Sequence, residues 1–208
     1  MSHFISKVCL VIIVLLPIAS VHAGGQPEAC TTACKTPYGQ ILGTTAHGIT
    51  AYSNCRAQCV IFEPNRYQGT YTGIKWQCVE FARRWLLRRH GVVYGDVDIA
   101  ADIWDKINFF TRVVDAKQIP VSAHTNGSSR APKVGDLLIY AKALWGTGHV
   151  AVILEIDPDA GVLRVAEQNF ANKPWDSEYA RDIPFINKAG HIWVLDAYLL
   201  GWKSLTVQ

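Results

Sequence analysis

Between His149 and Asn169 the side-chain pattern of the chain specifies an antiparallel hairpin. His149-Val150-Ala151-Val152-Ile153-Leu154-Glu155-Ile156 is an apolar, β-branched run. Asp157-Pro158-Asp159-Ala160-Gly161 is a turn cluster, and Val162-Leu163-Arg164-Val165-Ala166-Glu167-Gln168-Asn169 returns as the partner. With residues 157–161 as the loop, Ile156 pairs with Val162, Ala151 lies opposite Glu167 and His149 opposite Asn169. Directly opposed residues share a face, as do residues two apart, so His149, Glu167 and Asn169 meet at the open end. A loop one residue shorter or longer would put His149 and Glu167 on opposite faces.

A second stretch predicts a helix opened by a cysteine. From Cys78 the apolar positions fall at Phe81, Ala82, Trp85 and Leu86, the stripe of an amphipathic helix, with Gly91 as its C-terminal cap. Glu80, Arg83, Arg84 and Arg88 take the other side, which reads as a solvated face. Cys78 then sits in the first turn, where unpaired N–H groups and the positive end of the dipole favour a thiolate. The plain alternative is a small apolar residue on the buried face.

The cysteine count adds to this. Lys7 precedes an apolar run from Val8 to Leu16, and Val21-His22-Ala23 places small residues at cleavage positions. This is the layout of a secretory signal peptide over residues 1–23, cut after Ala23, which predicts a secreted or periplasmic protein with no membrane span after cleavage. The remaining chain keeps Cys30, Cys34, Cys55, Cys59 and Cys78. The first four form two C-x3-C pairs around one segment, and an exported protein can hold them as two disulfides. Spacing leaves the connectivity open, Cys30–Cys59 with Cys34–Cys55 being one arrangement and a four-cysteine zinc site the rival. Pairing those four leaves Cys78 as a lone thiol, for which catalysis is a reason.

The rest of the chain is enough for one domain. Residues 24–38 read as a lead-in and 39–208 as a single α+β domain, helices first and an antiparallel sheet after. Short strands are expected at Ile41–Gly43 and Ile49–Tyr52, a loop at Arg66–Gly73, a helix from Ala100 to Phe110 and irregular or short helical structure from Val113 to Pro120. Further strands are expected at Gly135–Tyr140 and Ile192–Leu195. Asn126-Gly127-Ser128 is a glycosylation sequon or a plain Asn-Gly turn. Twenty basic against 17 acidic residues give a net charge of +3, and loss of Lys7 would leave +2. That is too small, with no basic block interleaved with aromatics, to argue for nucleic acid. No metal or organic cofactor is implied.

A cysteine nucleophile needs a base to take its proton, and the base needs a polar partner on its other ring nitrogen. Cys78, His149 and either Glu167 or Asn169 supply that set.

The runs Gly73–Arg84, Asn126–Pro132, Thr147–Ala151 and Ala166–Asn169 closely resemble the CHAP-type amidase domain of glutathionylspermidine and trypanothione synthetase/amidases. The likeness extends from about Gly39 to Trp202. It implies a papain-like fold with N-terminal helices packed on an antiparallel sheet, Cys78 as nucleophile, His149 as general base and acid, and Glu167 orienting the histidine. It also places Gln77, Arg83 and Asn169 near the substrate, with Arg83 suited to a carboxylate. The implied reaction is amide hydrolysis through a thioester. There is no room for an ATP-dependent synthetase half, so only the hydrolytic half is implied, and the resemblance makes a small peptide–polyamine amide the expected substrate. Secreted members of the wider superfamily make peptidoglycan peptide the alternative, and a disulfide-clamped binding module is the non-enzymatic one. An inhibitor or immunity partner is not readable from the sequence.

Overall fold

The computed structural model describes residues 27–205; the signal-peptide expectation lies outside them. Among the described residues no helix is long and apolar enough to cross a membrane.

The chain enters through two hairpins. The expected pair, β1 (Ile41–Thr44) and β2 (Thr50–Tyr52), is present, and the segment read as a loop is a second pair, β3 (Pro64–Tyr67) and β4 (Thr70–Ile74). Its Gln68-Gly69 turn has both residues at positive φ, the geometry that closes a two-residue hairpin. The expectation of N-terminal helices is therefore corrected: hairpins come first. Polar, Tyr/Gly-rich strands carry no apolar alternation to announce them.

Helix α1 (Cys78–His90) starts and stops where the stripe predicts, with Gly91 in the left-handed conformation donating its N–H to Leu87 O. The second helix is shorter than expected. It is α2 (Asp102–Lys106), because Ile107 is already extended and Phe109 enters a strand.

A nine-stranded antiparallel sheet follows. From one edge to the other it runs β12 (His191–Val194), β11 (Arg181–Lys188), β10 (Val162–Ala166), β9 (His149–Asp157), β8 (Leu137–Tyr140), β13 (Leu199–Leu205), β7 (Gln118–Thr125), β6 (Phe109–Arg112) and β5 (Val92–Val93). Strand β7 takes in Gln118–Pro120, the end of the segment expected to be irregular or short helical. Alternation along β8 splits the core. Leu137 and Ile139 join Phe81, Trp85 and Leu86 of α1 beneath one face, while Leu138 and Tyr140 join Ile153, Leu163 and Trp202 on the other.

Helix α1 is covered on both sides, since it packs on β9 and β5 and also against β4. This overturns the solvated-face reading: Glu80, Arg83 and Arg84 are all buried. The Glu80 carboxylate accepts from Arg84 Nε at 2.7 Å, Asn65 Nδ2 at 2.8 Å and Thr72 Oγ1 at 3.0 Å. Arg84 also donates to Thr50 O, so one ion pair ties both hairpins to the helix. Burying it is tolerable because every lone pair finds a donor.

The four clamp cysteines form Cys30–Cys59 and Cys34–Cys55, one of the arrangements left open and a pairing that removes the zinc alternative. Asn126 uses both ends of its amide on the backbone of Val194, which favours the turn reading over the sequon.

Candidate active site

The hairpin that opened the argument folds with a different loop and the same outcome. Asp157 pairs with Val162, so the loop is residues 158–161, one shorter than expected, and the register near the turn is shifted by one. A β-bulge between Arg164 and Val165 then opposes Val165 to Ile153 and Ala166 to Val152. One extra residue on β9 restores the register that the longer loop would have given. His149 and Glu167 accordingly end on one side, and the His149 Nε2–Glu167 Oε2 distance is 2.9 Å.

His149 is fully buried at the start of β9. Gly148 precedes it at φ +70°, and a Cβ there would stand 2.4 Å from Tyr140 O and 2.9 Å from Ala101 Cβ. Only glycine lets the chain pass Tyr140 and turn the imidazole inward. The rings of Phe170 and Trp145 flank His149 at centroid distances of 5.0 and 6.2 Å and shield it from solvent.

With Nε2 on Glu167, Nδ1 is buried without another hydrogen-bond partner and is left to face the thiol. Cys78 is the free cysteine of the described residues and lies buried at the first position of α1. Burial by itself lowers the affinity of the His149 ring for a proton. The charge and hydrogen bond of Cys78 and those of Glu167 overcome it, raising the pKa to about 9. Glu167 is pushed up by burial and brought below its ordinary value by His149 and Arg181. The Glu167 carboxylate and the Cys78 sulfur thus favour the protonated form of the ring between them.

Sequence reasoning missed Arg181. It lies on β11, and an irregular segment separates it from Glu167, so no short-range pattern links the two. Asp196, beyond β12, accepts from Arg181 at 2.8 Å and was missed for the same reason.

The other expected site residues divide. Gln77 and Asn169 join Cys78 and His149 in a cleft of about 410 Å³. Asn169 Nδ2 donates to Gln77 Oε1 at 2.9 Å, and Gln77 Nε2 donates to Cys59 O at 3.0 Å, so the amide beside the nucleophile is fixed at both ends. Asn169 Oδ1 is buried with no partner, an acceptor held in reserve. Arg83 is elsewhere. It is sandwiched between Tyr71 and Tyr94 and donates to Thr72 O and Gly95 O, reaching the cleft only through Asp96 at 3.2 Å. A guanidinium buried under Tyr71 does not face the cleft, where Asp96 and Asp98 are the charged groups.

The sequence is similar to those of known proteins. The family described as CHAP domain matches residues 65–169, a span that contains Cys78, His149 and Glu167. The chain is 34% identical over 194 residues to the bifunctional glutathionylspermidine synthetase/amidase of Escherichia coli (strain K12), covering 85% of this chain and 30% of that protein. It is 34% identical over 162 residues to the trypanothione synthetase of Crithidia fasciculata, covering 77% of this chain and 24% of the other. The chain therefore spans under a third of the length of these relatives.

Proposed function

The chain belongs to the CHAP domain family, and from that membership and the geometry around Cys78 we propose an exported, papain-like cysteine amidohydrolase. The observation that carries the proposal is the buried His149, bonded to Glu167 at 2.9 Å on one nitrogen and interacting with Cys78, the free thiol among the described residues.

In the proposed reaction the Cys78 thiolate attacks the amide carbonyl and a C–S bond forms. The oxyanion is taken up by the Cys78 backbone N–H, in the first turn of α1, with the positive end of the helix behind it. As the C–N bond breaks, His149 gives its Nδ1 proton to the leaving amine. Water enters, loses a proton to the same nitrogen and attacks the thioester; the C–S bond breaks, the carboxylic acid leaves, and the Cys78 thiolate and protonated His149 are restored. Glu167 holds the ring in orientation throughout. Asn169 Oδ1 is placed to accept an N–H of the bound substrate.

For the substrate we favour a peptide–polyamine amide. Asp96 and Asp98 line the cleft that contains Cys78, and carboxylates there suit a cationic amine arm. Two disulfides suit action in an oxidising compartment.

The experiment gives wild-type protein and Cys78→Ala glutathionylspermidine in one reaction and purified muropeptides in another, with products read by mass spectrometry. Cysteine-dependent release of spermidine is the expected result. Cleaved muropeptides with intact glutathionylspermidine would transfer the chemistry to the cell wall. Equal behaviour of the two proteins on both substrates, with iodoacetamide labelling of Cys78 no faster than a free thiol, would reduce the cleft to a binding site.

A further inference from the structure

The Glu167 carboxylate is held by more than the histidine. Arg181 Nε donates to Glu167 Oε1 at 2.7 Å and its NH2 group lies 3.4 Å from Oε2. The same guanidinium reaches Asp196 at 2.8 Å and donates to the Tyr140 hydroxyl at 3.1 Å, and that hydroxyl donates to Asp196 at 2.7 Å. Phe170 covers it, with its ring centroid 4.2 Å away. Its exposure is 23%, against 4% for Glu167.

We propose that Arg181 is a positioning residue for this site, whose two-nitrogen grip keeps Glu167 ionised and aimed at His149; the proposal rests on the cysteine-amidase reading above. The charged groups form one alternating line: the Cys78 thiolate, the His149 imidazolium, the Glu167 carboxylate, the Arg181 guanidinium and the Asp196 carboxylate. They come from α1, β9, the segment after β10, β11 and the segment after β12, and Tyr140 from β8 completes the set of polar groups around them. A planar guanidinium fits this place because it can hold two carboxylates and a hydroxyl at fixed angles, which a point charge on a flexible stem cannot.

Removing the guanidinium leaves Glu167 and Asp196 as poorly solvated neighbours of like charge, and Glu167 takes up a proton. A neutral Glu167 no longer supports an imidazolium. The His149 ring then gives up its proton at lower pH, because one of the charges that raised its pKa is gone.

The test compares wild type, Arg181→Gln and Arg181→Lys by the pH dependence of iodoacetamide alkylation of Cys78 and of amide hydrolysis. In Arg181→Gln the alkaline limb of the hydrolysis profile is expected to move to lower pH by about one unit. Arg181→Lys, which keeps the charge and loses the fork, is expected to keep both limbs while kcat falls about tenfold or more at unchanged KM. A merely structural arginine would lower the amount of folded protein and leave the limbs in place, so unchanged limbs in folded Arg181→Gln would overturn the proposal. If that variant does not fold, a wild-type kcat in Arg181→Lys overturns it instead. Failure of the underlying amidase reading is distinguishable, because wild type itself would then hydrolyse no amide and be alkylated at Cys78 no faster than a free thiol.

Discussion

His149 carries a charge that burial opposes and two neighbours enforce, and this has a sign that can be worked through. Its pKa in the fold, about 9, stands above the ordinary 6.5, so its contribution to stability is complete below 6.5 and is lost as pH rises through 9. Glu167 is shifted the other way, so its contribution is present above its ordinary 4.5 and lost as pH falls further. The stability gap between wild type and His149→Ala, measured by urea unfolding across pH, should be widest between about pH 5 and 6.5 and shrink toward the alkaline side. A gap that stays constant through pH 9 would show the imidazole to be neutral in the fold. For catalysis, Glu167→Gln keeps the shape and removes the charge. It should lower kcat by on the order of a hundredfold with KM little changed, as steady-state kinetics would report.

Helix α1 does three jobs: it supplies Cys78 at its N-terminus, Phe81 and Leu86 to the core, and the Glu80–Arg84 pair to the hairpins. Glu80→Ala leaves Arg84 buried without its partner and should cost about 3–5 kcal/mol. Arg89→Ala, on the exposed end of the same helix, should stay within about 0.5 kcal/mol. Chemical denaturation of both variants checks the contrast, and equal effects would mean the buried network is not what fastens the hairpins. The disulfide clamp acts on the site through one carbonyl. Cys59 O accepts from Gln77 Nε2 and from Asn54 Nδ2, and Ala57, Val60 and Phe62 beside it form a wall of the cleft. Opening the Cys30–Cys59 bridge by Cys30→Ser with Cys59→Ser should cost about 2–4 kcal/mol of stability and also lower kcat/KM, because the Gln77 amide loses a fixed acceptor. Activity that survives this change at full strength, assayed beside the unfolding curve, would confine the clamp to a structural role.

Across the molecule, the sheet brings to one place residues that the chain keeps far apart. The nucleophile comes from the entry half, the histidine and glutamate from the central hairpin, and Arg181 and Asp196 from the strands beyond. The cleft they share presents Asp96 and Asp98 as its carboxylates and keeps the Arg83 guanidinium beneath its wall. On the proposed function, Asp96→Asn with Asp98→Asn should raise KM for a polyamine conjugate several-fold while kcat holds, and added salt should shrink the difference within about a 10 Å screening length. A KM indifferent to both changes would argue for an uncharged substrate. The apolar rim of the same cleft, with Phe62 and Trp145 exposed, leaves room for the amine arm to extend along it.

Local pattern was enough for the helix from Cys78 to Gly91 and for the hairpin β9–β10, because periodicity and turn chemistry act over a few residues; the grouping of Cys78 with His149 and Glu167 was implied by the family resemblance. It was not enough for β3, β4 and β7, whose polar or irregular sequences become strands only by pairing with distant neighbours. The buried face of Glu80, Arg83 and Arg84 was also invisible, since what covers a helix is settled by elements far away in the chain. The His149–Glu167 register shows the division most clearly. Alternation put both residues on one face, but the real turn is shorter and a bulge at Val165 compensates for it. Arg181 and Asp196 depend on contacts of long sequence separation and on the coil of the sheet beyond β10. No local propensity records those contacts, because the energy that fixes them is gained only once the core has closed.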